Sequence, residues 1–315
     1  MPYADTTRSR LLIRSKSAFG AAFILGATHF QDLRVTGNTL KAAKTTDEDP
    51  EIRSDRSPGR STQTGRSTSG DISGRLTYGT YDDLLASALG NPVTGWSSNA
   101  LSVGTAPAIF DIEVGLLDVA QFFPYVDQYV GTMTLELGTN KDVALTFGMM
   151  GAQSLTATTT SIDPAPVAKT TTTRMRSTLA GAALALGING AALAAHPGKV
   201  TSLRMQTTNN LRPRPDVFSE TSDEMGLGEI GVTITVSGYL KDASLYNASL
   251  AHQDVAMSFS VADAAGNKYT FYVDRATIED HSAPPDAKNK DVLNNYTIKA
   301  FGTNCLRVVR APASV

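Results

Sequence analysis

Cysteine is almost absent from this chain of 315 residues, which contains only Cys305. A single cysteine cannot form an intramolecular disulfide, and it leaves no cysteine cluster for a structural zinc site. The chain is, however, long enough to bury two separate hydrophobic cores. We therefore expect packing and assembly, and not cross-links, to hold the fold together.

An excess of charge of either sign is also missing. The chain carries 28 Lys and Arg against 30 Asp and Glu, which gives a formal net charge of −2 and a pI near 6.1. A general nucleic-acid binder normally shows a large basic excess or a basic stripe. Bulk charge is therefore not expected to hold DNA.

Long hydrophobic runs are absent, and two shorter apolar stretches are weak targeting or membrane signals. Residues 18–30 follow several basic residues, but their apolar run is short and leads directly into a strand-like segment. The run near Leu179 is rich in Ala and Gly and contains Asn189, so it lacks the Leu, Ile and Phe density that membrane insertion requires. We expect no membrane association.

Motifs of enzyme active sites are equally scarce. Residues 226–231 match G-x-G-x-x-G, but a strand-like segment follows where the dinucleotide motif needs a helix. Asp82 and Asp83 are adjacent, so on a helix they do not face a common site, and they suit the helix N-terminus instead. The histidines show no metal-binding spacing. We predict a protein that is not an enzyme and has no cofactor or metal site.

What the sequence does contain is a repetition of three blocks in the same order. The block "DLRVTGNTL" at 32–40 is echoed by "SLRMQTTNNL" at 202–211. Gly70 and Gly228 each open a polar strand that leads to a short Leu/Ala segment, and Asn-Lys-Asp-Val occurs once in each half. Three matched blocks indicate two diverged copies of one domain.

The repetition predicts four segments and a fold class. The segments are an N-terminal arm at 1–28, a first copy at 29–160 with a long Arg-rich loop at 46–69, a linker at 161–198, and a second copy at 199–315. Alternating strands, glycine-rich turns and one short helix per copy predict a mainly β protein of two sandwich or half-barrel domains.

Two of the predicted strands have one apolar and one polar face. Ile72 and Leu76 form the apolar face of the first, and Ile234 and Val236 belong to that of the second. The polar sets are Asp71, Ser73 and Thr77 in the first copy and Glu229, Thr233, Thr235 and Ser237 in the second.

The Arg-rich loop is the one charged feature of note. Between the first and the last of its arginines, Arg53, Arg56, Arg60 and Arg66, the only acidic residue is Asp55. Such a loop can bind phosphate, stay solvated or dock on an acidic neighbour. Because it lacks the interleaved aromatic residues of a single-strand groove, we favour a protein contact over nucleic acid.

The most distinctive segments of the chain lie at 51–56, 78–89 and 111–123. With the flanking residues from 33 to 302, they resemble the tail tube, or major tail, proteins of long-tailed bacteriophages. The arm and the Ala-rich link near Leu184 depart from the usual pattern of that family. The resemblance implies a structural virion protein whose sheets join edge to edge into a large ring barrel.

The resemblance also implies a mode of assembly. Rings would stack into a hollow tube that conducts DNA from the capsid to the host. The two polar sets would face the lumen, where acidic and hydroxyl side chains repel a polyanion over roughly 8 Å in physiological salt. The Arg-rich loop and the arm would contact the next ring. If a ring needs six domains, a homotrimer with pseudo-sixfold symmetry supplies them, and a homohexamer of whole chains is the alternative.

Partners and location follow from the same resemblance. We expect a phage tail protein that is assembled in the host bacterial cytoplasm, contacts a tape measure protein and a tail terminator, and lets DNA pass without specific binding. The competing functions are a tail terminator or neck ring protein and a β-sandwich adhesin or carbohydrate-binding module. A single Trp and the lack of a calcium-loop pattern count against the binding module.

Overall fold

The computed structural model of the protein describes residues 3, 5–24, 29–52, 54–55, 57–284, 288 and 290–313. These residues form one sheet of 17 strands, a separate two-stranded hairpin and two short α-helices. The prediction of a mainly β fold with a short helix in each half is therefore confirmed. The described part of the single chain forms no closed barrel.

The described residues contain 19 strands, two α-helices and two 3₁₀ turns, at Thr6–Arg8 and Val93–Gly95. The first half contains β1 (Ser9–Lys16), β2 (Gln31–Asp32), β3 (Gly37–Asn38), β4 (Lys41–Asp47), β5 (Thr62–Arg75), α1 (Asp82–Ala88), β6 (Ala100–Leu101), β7 (Ile109–Leu116), β8 (Gln121–Gly138) and β9 (Ala144–Ser154). The second half contains β10 (Ala183–Ile188), β11 (Ala194–Ala195), β12 (Val200–Thr208), β13 (Arg212–Pro215), β14 (Ser222–Gly226), β15 (Gly231–Tyr239), α2 (Ser244–Leu250), β16 (Asp254–Ala262), β17 (Lys268–Ser282), β18 (Leu293–Ala300) and β19 (Arg307–Ala311).

One antiparallel run of strands crosses both halves. Its order is β4–β5–β9–β8–β12–β15–β18–β17–β16–β10. Strands β8 and β12 form the joint between the halves, with Arg204 opposite Glu136. We call this run the central run. The β13–β14 hairpin stands apart as its own small sheet.

The order of pairing in the first half recurs in the second. The first half reads β5–β9–β8–β7–β1, and the second reads β15–β18–β17–β16–β10. The long strands β8 and β17 carry matching irregularities, between Val130 and Thr132 and between Ile278 and Asp280. A bulge bends its strand, so each long strand turns away from β7 or β16 at this point.

The two halves share one hydrophobic core on one face of the central run. A row of directly paired side chains, each at most 4% exposed, consists of Leu145, Leu135, Met205, Ile234, Ile298 and Ile278. Helix α1 packs against β8 and α2 against β17. Because the row runs through the β8–β12 joint, burial of apolar surface holds the halves together there.

Part of the predicted N-terminal arm is instead a core strand. Strand β1 pairs along its whole length with β7, and Leu11 and Leu12 are fully buried. The sequence pattern was misleading because the apolar run is only three residues long and basic residues flank it. Lys16 reaches the buried carboxylates of Asp111, at 3.2 Å, and Asp127, at 2.6 Å.

The predicted loop at 46–69 is in part a β-hairpin, to which its residues 46–47 and 62–69 belong. Strands β4 and β5 pair from Lys41–Ser69 to Asp47–Thr62, and only residues 48–61 connect them. All seven residues of β4 are exposed. Because β4 has no buried side, it shows none of the polar and apolar alternation by which strands are recognised in sequence. We call the β4–β5 hairpin the long hairpin.

The predicted linker at 161–198 also contributes to the sheet. Its residues 183–188 form β10, which pairs with β16, and 194–195 form β11. Earlier in the segment, Arg176 and Arg174 bind the carboxylate of Asp142 at 2.7 and 3.2 Å. The hydrogen bond from Arg176, together with that from Arg174, holds the pKa of Asp142 below its usual value.

Replacing Met205 with Ala should destabilise the chain, because Met205 is fully buried in β12 at the joint between the halves. Such core truncations cost about 2–5 kcal/mol. Thr235→Ala on the exposed side of the neighbouring strand is the control and should change stability by less than about 0.5 kcal/mol. Urea denaturation of unassembled protein measures both. Equal midpoints for the two variants would contradict a core that runs through the joint.

Candidate functional site

The face of the central run opposite the core is polar across both halves. Directly paired residues of antiparallel strands project to the same face. Two rows of paired residues cross this face. The first row consists of Ser73, Thr146, Thr134, Gln206, Thr233 and Lys299. The second row consists of Arg75, Ala144, Glu136, Arg204, Thr235, Thr297 and Asp280. One further row lies on each side of these two. One flanking row consists of Asp71, Gly148, Thr132, Thr208 and Gly231. The other consists of Gly138, Ser202, Ser237, Asn295 and Ser282. We call these four rows the polar face.

Side-chain contacts within the polar face join neighbouring strands. The hydroxyls of Ser73 and Thr146 lie 3.2 Å apart, and Thr235 has a similar contact with Thr297 at 3.3 Å. Arg204 Nε lies 3.5 Å from Glu136 Oε1 across the β8–β12 joint, and both side chains are more than half exposed. Such exposed pairs add little stability, so the backbone ladder and the core below carry the joint.

The polar face is rich in hydroxyl groups and balanced in charge. Its acidic side chains are Asp71, Glu136 and Asp280, and its basic ones are Arg75, Arg204 and Lys299. The expectation of an acidic wall therefore needs correction, because each acid has a basic residue on the same surface. Serine and threonine outnumber the charged residues. A polyanion near this face would meet neither a cluster of cations nor a strongly repelling potential.

Most of the predicted polar sets lie on this face. Asp71, Thr233 and Thr235 are exposed on it, and Ser73 and Ser237 are half-buried. Glu229 is exposed but precedes β15, where its backbone carbonyl accepts a hydrogen bond from Asn210. Their apolar neighbours are buried in the core, as the alternation predicted.

Thr77 does not belong to the polar face. It is 1% exposed, and its hydroxyl donates to Thr80 Oγ1 at 2.6 Å. Strand β5 ends at Arg75, so the alternation that placed Thr77 beside Asp71 does not extend to it. A buried side chain cannot line a channel, and the assignment of Thr77 to the lumen is wrong.

The arginines of the Arg-rich loop are only partly described. Arg53 and Arg56 lie outside the described residues, and Arg60 is exposed in the connection of the long hairpin. Arg66 lies in β5, where its Nε is 3.1 Å from Glu220 Oε2 and its N–H donates to the Glu220 carbonyl at 2.7 Å. The long hairpin therefore contacts the β13–β14 hairpin of the other half through an acidic residue.

A buried polar cluster links the two halves on the core side, and sequence reasoning missed it. The carboxylate of Asp82 in α1 accepts hydrogen bonds from the Tyr269 hydroxyl and from Arg310. Arg310 also lies over the ring of Trp96, 4.6 Å from its centroid. Burial, and then the charge of Asp82, raises the pKa of Tyr269. Nothing in the sequence indicates the cluster, because Asp82 is 187 positions from Tyr269 and 228 from Arg310.

Two further properties concern the described residues alone. No group of three or more His, Cys, Asp or Glu side chains among them is arranged to hold a metal ion. None of the helices in the described ranges has the length and apolar character needed to cross a membrane.

Comparison with known proteins identifies the family. A sequence model described as phage tail tube protein matches residues 6–300, which is nearly the whole chain. Comparison with curated proteins returned no match. The family match agrees with a β-sheet protein that presents an extended polar face on one continuous antiparallel run of ten strands. The chain belongs to the phage tail tube protein family.

Proposed function

We propose that three copies of this chain form each ring of the tail tube, and that the two halves of each chain act as two tube domains. Tail tube proteins are structural virion proteins that assemble into stacked rings. The observation that carries the proposal is the recurrence of one pairing order in both halves, joined through β8 and β12. Six such units would close a barrel with pseudo-sixfold symmetry. A ring of six whole chains is the alternative.

The polar face is our candidate for the wall of the DNA channel. Its hydroxyl groups keep the wall hydrated, and its balanced charge offers no row of cations that would hold phosphates. DNA could then slide through without specific binding. The helices and the shared core would lie on the outer side of this wall.

The long hairpin is our candidate for the contact between rings. Its outer part extends past the pairing with β9, which reaches only to Thr68 of β5, and Arg60 lies exposed in its connection. Its partner within the chain is the shorter β13–β14 hairpin, through Arg66 and Glu220. Head-to-tail stacking of rings does not close and therefore produces a filament.

The proposal also includes the partners of the tube and the place where it assembles. The tube would enclose a tape measure protein, end at a tail terminator and form in the host bacterial cytoplasm before it becomes part of the virion. We propose a purely structural role without catalysis. A terminator or neck protein forms single rings, and an adhesin or carbohydrate-binding module forms none, so the family match favours the tube over both.

Purified protein should assemble into tubes with three chains per ring. Mass per unit length from scanning transmission electron microscopy, divided by the ring spacing from negative-stain images, gives the number of chains. Three chains of 33.3 kDa give about 100 kDa per ring, and six give about 200 kDa. The higher value would defeat the two-domain proposal, and single rings without tubes would favour the terminator.

Replacing residues 48–61 with a two-residue Asn-Gly turn should leave soluble rings that fail to stack. The turn suits a tight antiparallel hairpin, and the rest of the sheet keeps its pairing because β4 packs no side chain into the core. Electron microscopy and sedimentation would compare the variant with the wild type. Tubes of undiminished length would refute the stacking role.

Adding positive charge to the polar face should slow DNA passage without preventing tube assembly. In phage that carry Thr134→Lys with Thr235→Lys, each tube domain gains one cation, which attracts the phosphate backbone. Asn247→Lys on the exposed surface of α2 is the control. The rate of DNA release from the particles is measured by fluorescence at several salt concentrations. It should fall for the double variant only, and the difference from the wild type should shrink at high salt. Equal rates for all three would contradict a lumenal position.

A further inference from the structure

Two of the open backbone edges of the described sheet lie at the ends of the central run or beside it, on β4 and on the outer part of β17. Strand β4 pairs with β5 on one side only, and residues 278–282 of β17 pair with β18 on one side only. Unpaired strand edges are templates for another chain. The two edges also differ in charge. Strand β4 carries Lys41 and Lys44, with Asp47 at its far end, whereas the β17 edge carries Glu279 and Asp280.

The β8–β12 joint inside the chain is a template for how these two edges could pair with each other. Strand β17 matches β8, because each has a bulge just before its outer part and each pairs with β7 or β16 before the bulge. The residue after the bulge is Thr132 in β8 and Asp280 in β17. In β8, Thr132 lies opposite Thr208 of β12. In β17 the equivalent edge has no strand beside it among the described residues.

Strands β3 and β4 together match β12. Ile72 of β5 and Val236 of β15 occupy equivalent positions, since each is fully buried and lies opposite a buried aromatic residue. The other neighbour of Ile72 is Asn38, and that of Val236 is Leu203. Asn38 and Leu203 are therefore equivalent. Five residues further along each strand, Ala43 is equivalent to Thr208.

We propose that the open edge of β4 pairs antiparallel with the open edge of β17 in a second copy of this chain, with Ala43 opposite Asp280. The inference rests on the proposed ring and specifies which strands close it and in which register. Lys41 would then lie opposite Ser282. Pro284 has no N–H to donate, so the ladder is short at that end.

Charge and backbone bonding support this register. Lys41 lies two positions from Ala43 and is thus diagonal to Asp280, within reach of a long side chain. In the internal joint, the N–H of Asn209 donates to the Gly131 carbonyl at 2.8 Å. In the proposed joint between chains, the equivalent hydrogen bond would run from the N–H of Lys44 to the carbonyl of Glu279. It would bring a second pair of oppositely charged residues together. Exposed pairs contribute little affinity but discriminate against wrong partners and registers.

Cysteine pairs test the register directly, because directly opposed strand residues lie within disulfide distance. In a Cys305→Ala background, assembled Ala43→Cys/Asp280→Cys protein should form chain-to-chain disulfides upon oxidation, seen as dimers and trimers on non-reducing gels. Thr132→Cys/Thr208→Cys is the matched internal control and should form its disulfide within one chain. Lys41→Cys/Asp280→Cys is off register by two residues and should lose most of the cross-linking.

A charge exchange provides the second readout. Lys41→Glu/Lys44→Glu should impair ring formation, and adding Glu279→Lys/Asp280→Lys should restore it. If the wild type forms rings while the 43/280 pair fails to cross-link and the internal control succeeds, the proposed joint is wrong. If the wild type forms no rings at all, the proposed function itself fails. Cross-linking of the off-register pair as strong as that of the 43/280 pair would overturn the register.

Discussion

The antiparallel pairing of β8 with β12 is the interaction on which the rest of the structure depends. It continues the hydrogen-bond ladder from one half of the chain into the other, so that a single core row and a single polar face extend across both. A β-sheet can extend in this way only where one strand edge is free. The bulge in β8 provides that edge, because it bends the strand away from β7 and leaves its outer part open for β12.

The sequence was informative where one side of a strand is buried and less so elsewhere. Alternation in the strand that contains Ile234 identified both its faces, and the repeated blocks led to the expectation of two copies of one domain. Strand β1 escaped notice because its apolar run is short and lies among basic residues, and β4 because none of its residues is buried. The Asp82–Tyr269–Arg310 cluster depends on tertiary structure alone, so no local pattern could indicate it.

The two halves are similar in topology but differ where they meet their surroundings. The first carries the long hairpin, and the second carries the short β13–β14 hairpin. The polar face, in contrast, is rich in hydroxyl groups on both sides of the joint. Its charges balance over the whole chain, with one more acid than base in the first half and one more base than acid in the second. A ring built from such chains would present a hydroxyl-rich wall to DNA and an alternating set of contacts to the next ring. In the proposed trimer, tandem domains would thereby allow a regular barrel with specialised edges.

The central claim is that the joint inside the chain is repeated between chains. Helical reconstruction of assembled tubes by cryo-electron microscopy tests it most directly. The account predicts six equivalent joints per ring, three within chains through β8 and β12 and three between chains through β17 and β4 in the same register. Rings of six chains, or contacts between chains that leave the β4 and β17 edges unpaired, would contradict it.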